Sequence, residues 1–508
     1  MARGVGCHGR SGHPAHAADG NGVGTRVRPD RARCRGRERS SARTGELLRR
    51  AGRRPGGRSA PGPRGGAGVP RGIRRGGRAA ERVARLSGWR RRSPTLALIL
   101  LTAIGTIGFV DRVVVNALVE PLKAEFGLND EQIGWLGFAY SSLNIVLGVF
   151  VARLAESRRR LTFTAVGTLL WSVAATASGA VTTWTQLLAA RVAVGIGEAV
   201  GLPANQSVIA DYYPPNRRAS AMSILLLAAP LGAMIGLAGG GFVAQAWGWR
   251  WAFIVTGLPG ILLALLVWLF VKEPVRGGHD TVTDERVPPL KAVIARMARL
   301  KSVKHLVIGS ALASMVGFGL IAFFSALMTR RFGLPVGEAG LMTALAASVP
   351  AAISVALGGT IVDRLAPRFP GAYGQFPALC LLLAAPLFAL AMTRSDFGSL
   401  FVLSAVSTLL LFTFLGPTAG TIQNLLDPRM RATGHALVNI FTGMVGGLGP
   451  VLVGWLSDRL AADGLPSDVA LGYAMAGTAL MSWWAAAHYW RAGRTLNDDL
   501  AAVRELRA

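Results

Sequence analysis

Cysteine is nearly missing from this chain. The three in 508 residues, Cys7, Cys34 and Cys380, show no CxxC spacing, so neither a disulfide framework nor a thiolate metal centre is expected. Cys7, His8, His13 and His16 cluster in sequence but match no known ligand spacing, and no metal or cofactor is expected. Also missing are an HExxH pair, a Walker loop and a nucleophile elbow, which argues against a membrane enzyme. No strand precedes Gly195, Gly197 and Gly201, so these glycines are not a dinucleotide fingerprint; small residues at that spacing let helices approach closely.

Residues 1–92 lack lysine and nearly lack acids, holding 25 Arg against 5 acidic residues. They account for +20 of the net charge of +28, and residues 93–508 carry only +8. The basic total is therefore no nucleic-acid signature of the body, and no nucleic-acid partner is expected. Arg, Gly, Ala and Pro without apolar periodicity cannot bury enough surface to offset chain entropy, so 1–92 read as a disordered tail. A headgroup- or RNA-binding arm, a targeting segment and a solvated or non-native tail compete as interpretations. The last is favoured because Met1 is the only methionine before Met222, leaving room for a start near residues 83 to 96.

What the chain has in abundance is apolar residues, 51% of the total, at a mean hydropathy of +0.41. Stretches of about 20 apolar residues, the length that crosses ~30 Å of hydrocarbon, recur along it. Twelve spans are expected near 95–118, 132–153, 161–180, 184–210, 219–246, 250–271, 305–328, 338–361, 375–393, 398–426, 433–457 and 468–491. The fold class is an all-α polytopic membrane protein whose only structural partner is the lipid bilayer. Residues 93–271 would form one six-helix half and 305–491 the other, joined by the loop 272–304, with 492–508 as a cytoplasmic tail. The end of that loop has the pattern of a basic amphipathic surface helix. Lys and Arg concentrate on the connections that would face the cytoplasm, which puts both termini inside, in a bacterial inner membrane.

The halves repeat. Pro215-Asn-Arg-Arg218-Ala219 returns as Pro428-Arg-Met-Arg431-Ala432, an offset of 213 that also carries Gly236 onto Gly449 and Gly241 onto Gly454. Gly236 with Gly240 and Gly443 with Gly447 are GxxxG pairs, and Pro230 and Pro450 interrupt the fifth and eleventh spans, where bending is expected.

Charge in hydrocarbon is costly, so an ionisable residue inside a span marks a functional site. Four are clearly inside, all in the first half: Asp111, Arg112, Arg191 and Glu198. Asp111 and Arg191 each lie seven residues from the outer end of a span, a depth of about 10 Å that permits an ion pair. Glu198 is two turns deeper than Arg191 on the same face. Asp111 and Glu198 are the candidate proton-coupling acids, and Arg112 and Arg191 the candidate substrate-binding cations. The bland alternative is a polar network that only fixes helix packing. In the second half the candidates are neutral, Gln423, Asn424 and Asn439, with the aromatics Phe323, Phe324, Phe412 and Phe414, and packing is as good a reading of these.

Twelve spans, the central loop and Gly359-x-x-x-Asp363-Arg364 after the eighth span, with a degenerate copy after the second, resemble the major facilitator superfamily over about residues 93–491. FVDRVVVNAL in the first span, ARVAVGIGEAVGLPANQSVIADYYPPNRRA in and after the fourth, and LGAMIGLAGGGFVAQAWGWRWAF followed by KEP are similar to its spinster-like branch. The resemblance implies roles in substrate binding and proton-linked switching for Asp111, Arg112, Arg191 and Glu198. It also implies conformation-holding loop contacts. Where the family pattern has Gly, Asp and Arg after the second span, this chain has Ala152, Glu156 and Ser157, keeping only the basic end, Arg158 to Arg160. The expected function is alternating-access secondary transport, monomeric and proton-coupled, of a small organic anion or lysolipid-like anionic amphiphile. Sodium-driven or uncoupled transport, aromatic- or sugar-acid symport, drug-type efflux and a non-transporting membrane sensor stay open as alternatives.

Overall fold

The computed structural model describes residues 93–157, 159–199, 201–275, 288–369, 371–427 and 430–505, all within one compact unit, 75–508. The tail 1–92 with its Cys7–His16 cluster lies outside the described residues, as do the side chains of Ala152 and Glu156.

Each expected span is helical. The first runs Pro94–Ala117, started by Ser93, whose hydroxyl accepts from the Leu96 amide at 3.3 Å, and by Pro94 in the first turn, where a missing N–H costs nothing. A short helix, Val119–Phe126, ends at Gly127, whose φ of 64° is the left-handed cap that glycine adopts freely. The second span is Asp130–Ser157 and the third Arg160–Ala177. The fourth is two helices, Trp184–Glu198 and Gly201–Tyr212, so the chain breaks next to Glu198. The fifth covers Pro215–Leu226, Ala228–Met234, a π-turn at Ile235–Gly239 and Gly240–Trp247; the sixth is Trp249–Phe270. Leu290–Arg299 is the amphipathic connector, with Val293 buried. The seventh is Lys301–Phe332, and the eighth is Val336–Thr343, a π-turn at Ala344–Ser348 and Val349–Leu365. Ala372–Met392 is the ninth, and Phe397–Leu411 with Leu415–Leu425 the tenth. The eleventh is Arg431–Ala462, and Ser467–Leu480 with Ser482–Glu505 form the twelfth and its extension. Among the described residues nine helices are long and apolar enough to cross a membrane. The second, fourth and twelfth, which are charged or broken, complete the twelve.

The 213-residue repeat is visible as matching contacts. A Cβ on Gly236 would lie 2.7 Å from the Val110 carbonyl of the first span, and one on Gly449 would strike the Met315 carbonyl of the seventh. One turn further, Gly241 abuts the Val336 carbonyl where the eighth span begins, and Gly454 abuts the Asp130 carbonyl where the second begins. At the same offset, Gln245 Oε1 accepts from the Gly337 amide at 3.0 Å, while Asp458 accepts from the Asp130 and Glu131 amides at 3.0 and 2.8 Å. Each half thus seats its fifth-position helix on its own first helix and caps the second helix of the other half. Of the two prolines, Pro230 coincides with the break after Leu226, while Pro450 lies within an unbroken helix. Neighbouring turns or waters satisfy the freed carbonyl in such cases.

Gly449→Val should lower the melting temperature of detergent-purified protein, since forcing bulk against the seventh helix backbone costs about 1–3 kcal/mol. Gly420→Ala, where a Cβ would meet nothing within 4 Å, should leave the melt unchanged in the same assay.

Candidate functional site

The four intramembrane charges meet as two ion pairs between the first and fourth spans. Arg191 Nη1 lies 3.1 Å from Asp111 Oδ2, and Arg112 Nη2 lies 3.0 Å from Glu198 Oε2. Neighbours in sequence on the first span pair with residues two turns apart on the fourth, as the shared face and matched depth require. Glycine lets the fourth span close on the second and third. Gly195 rests on the Tyr140 backbone carbonyl and Gly197 on the Trp171 amide, each 2.6 Å from where a Cβ would stand.

The pairs differ in solvent access. The Asp111 side chain is 0% exposed and Arg191 3%; Arg191 is further held by the Ser178 hydroxyl at 2.7 Å and lies 4.9 Å from the Phe253 ring centre. Arg112 is 40% exposed while Glu198 is 8%. Arg112 Nε donates to the Tyr140 hydroxyl at 2.7 Å, and that hydroxyl donates in turn to Glu198 Oε2. Asn144 adds a long contact to the same oxygen at 3.5 Å. Every donor therefore converges on Oε2. Glu198 Oε1 is buried without a partner and faces Gly108, and Asp111 Oδ1 is likewise unpartnered. Each acid keeps one oxygen on which a proton could sit without displacing an existing hydrogen bond.

A cavity of about 40 Å³, room for very few waters, opens between the halves beside these pairs. Arg112, Asn116, Tyr140 and Arg191 give it polarity, and Leu136, with Ala322 and Pro450 from the second half, gives it apolar wall.

A second charged cluster joins the halves at the start of the second span. Arg330, at the end of the seventh span, forks onto both oxygens of Asp130 at 2.8 and 2.6 Å and reaches Glu120 at 2.8 Å. Lys123 and the Ser457 hydroxyl, the latter at 2.7 Å, complete the shell of Asp130. These contacts, with the Asp458 caps, tie residues of 93–271 to residues of 305–491. Asp130 stands two residues ahead of the expected apolar span.

The other expected site residues do not join the central group. Gln423 and Asn424 are exposed on the last turn of the tenth span, and Asn439 is exposed on the eleventh. Among the described residues none of the three makes a side-chain hydrogen bond to the central charges. Phe323, Phe324, Phe412 and Phe414 are buried in the core, Phe414 against Tyr489. Arg160 is buried within the first half, with Asp211 at 2.6 Å, Glu273 at 3.0 Å and Ser207 at 2.7 Å. Asp363 accepts from Tyr373 at 2.6 Å, Arg364 is exposed, and Gly359 has open space beside it. Sequence reasoning passed over Tyr140 and Asn144. The signal was there: two polar residues four apart on one face of the second span, in FAYSSLN.

The Major Facilitator Superfamily model matches residues 96–450. An MFS-type efflux pump of Mycolicibacterium smegmatis is 32% identical over 415 residues, covering 79% of this chain and 93% of that protein. The sphingosine-1-phosphate transporter SPNS2 of Danio rerio is 24% identical over 415 residues, 76% of this chain and 81% of that protein. The crystal structure of a bacterial homolog to the human lysosomal transporter Spinster, inward-facing and unoccupied, is similar with a TM-score of 0.73 at 26% identity, covering 80% of this chain and 98% of that one.

The Arg330–Asp130 fork joins the two halves through side chains that are 9% and 3% exposed. Spin labels placed on either side of the fork should report the distance that it holds. Arg330→Gln should widen that distance, since breaking a buried pair costs about 3–5 kcal/mol.

Proposed function

From the premise that this chain belongs to the Major Facilitator Superfamily, in its spinster-like branch, we propose that it is a proton-linked secondary transporter of an anionic amphiphile. It is an integral membrane transporter of small molecules. The finer reading rests on one observation: Arg112, half-open to the cavity between the halves, is shared with a glutamate that has a free oxygen.

An anionic headgroup arriving at Arg112 competes with Glu198 for the guanidinium. Deprived of its counter-charge in a low-dielectric site, the Glu198 carboxylate gains from taking a proton on Oε1. Anion and proton then favour each other's binding, and the linkage is reciprocal. Arg191, paired with Asp111 and the Ser178 hydroxyl and with its Nε left unpartnered, orients Asp111 and sets the field around the site rather than meeting substrate. Closure by the Arg330–Asp130 cluster leaves the opposite end as the route of access, so the arrangement corresponds to the inward-facing state when both termini are cytoplasmic. The lipid character of the substrate is supported by the sphingosine-1-phosphate transport of the Danio rerio relative and by the aromatic bed under Arg112, Phe109 at 4.7 Å and Tyr140 at 5.2 Å. The protein works as a monomer on this reading, since both halves of the cavity come from one chain.

Thermal-shift titration of the purified protein with lysolipids, aromatic acids and sugar acids should single out the lysolipid phosphates. Arg112→Gln should weaken that binding roughly 10- to 100-fold, the ~1.5–3 kcal/mol of a hydrogen bond to charge. In liposomes, transport should rise with an imposed pH gradient and lose that dependence in Glu198→Gln. Coupling unchanged in Glu198→Gln combined with Asp111→Asn would remove the proton role.

A further inference from the structure

We propose that the cleft between the start of the third span and the end of the sixth binds the headgroup of an anionic phospholipid, a site separate from the central cavity. The cleft measures about 320 Å³, the low end of the range for small-molecule sites, and is lined by Arg159, Leu161, Trp268, Val271, Lys272 and Glu273 among others. It lies where two spans leave the membrane on the same side.

Its charge is built to be positive. Glu273 is committed elsewhere: Oε1 accepts from the Arg160 amide at 3.2 Å and from Arg160 Nε at 3.0 Å, and Oε2 accepts from the Leu161 amide at 2.9 Å. That carboxylate caps the third helix and pairs with a buried arginine that also holds Asp211, so that with Arg159 and Lys272 the group is net positive by one charge. Arg159 and Lys272, both exposed, have no side-chain partner among the described residues. Two unpaired cations flank a spent carboxylate, which is the arrangement that attracts a phosphate.

The walls say which phosphate. Leu161, Val267 and Val271 are apolar, and Trp268 is half-exposed with its indole at the membrane boundary, where tryptophan anchors to headgroups. From the cleft, exposed Leu269, Leu265 and Leu262 continue along one face of the sixth span at helical spacing, a track for an acyl chain. A soluble phosphate would use the cations and leave this apolar track bare. A phospholipid uses both.

Native mass spectrometry of the full chain in detergent, titrated with phosphatidylglycerol or phosphatidylcholine, reads the site directly. The anionic lipid should be retained preferentially. Arg159→Gln with Lys272→Gln should weaken it about 25-fold, fivefold for each charge near an anionic surface. Removing two charges elsewhere, Lys291→Gln with Arg368→Gln, should change retention by less than half as much. Trp268→Ala, a surface change that folding tolerates, should weaken phosphatidylglycerol without altering the charge. Equal retention of the two lipids, equal loss in the control variant, or displacement of the lipid by inorganic phosphate at matched concentration would each overturn the assignment.

Discussion

Hydrocarbon will not hold an isolated charge, and the centre of this molecule is arranged around that constraint. Asp111 and Arg112 are consecutive on one helix, so their side chains diverge by about 100° and cannot satisfy each other in comfort. The fourth span answers both with Arg191 and Glu198, placed two turns apart on one face. Net charge at the crossing is zero, and the desolvation of four ions is offset pairwise. The requirement propagates outward. The first and fourth helices must lie close along this stretch, glycines at 195 and 197 must admit the second and third helices, and Ser178 and Tyr140 must supply the remaining donors.

The two pairs then specialise through burial. Asp111–Arg191 is buried and cross-braced by Ser178 and Phe253, so separating it would strand a charge on each side. Arg112–Glu198 has one member 40% exposed beside the cavity and a tyrosine bridging both, which gives exchange of partners a path that does not expose a bare ion. The second cluster follows the same physics, with the Arg330 and Asp130 side chains 9% and 3% exposed. There one carboxylate meets a forked arginine from the other half.

Much of this was legible in the sequence, and the gaps have physical causes. Apolar run length placed the twelve spans, since crossing a bilayer leaves little freedom in length, but it did not show the short helix Val119–Phe126 or the continuation to Glu505. Counting residues from the outer ends put Asp111 level with Arg191, because depth along a helix is linear in sequence. Partners for Glu198 were harder. Tyr140 and Asn144 are polar but uncharged, so a census of charges did not weigh them. Arg330 and Asp130 sit at span ends, where a charge is ordinary, and only the tertiary fold brings residues two hundred apart into a fork. Gln423 and Asn424 were polar within a predicted span; the helix ends just beyond them, at the surface side of the site. The break after Glu198 has a local hint in Gly201 and Pro203, yet propensity alone does not say that the helix stops beside the acid.

The repeat makes the asymmetry of the halves meaningful. Gly236 and Gly449, Gly241 and Gly454, and Gln245 and Asp458 do the same mechanical work, so the two halves share a scaffold. What they do not share is charge. All four central ions belong to residues 93–271, and the second half presents Ala322 and Pro450 to the same cavity. A relative motion of the halves therefore changes which groups are wet without pulling either ion pair across the interface. Had one partner of each pair resided in the opposite half, every excursion would have had to break a buried pair, at about 3–5 kcal/mol each. Keeping both pairs in one half leaves the Arg330 contacts to Asp130 and Glu120 as the ionic link between the halves that the motion must open.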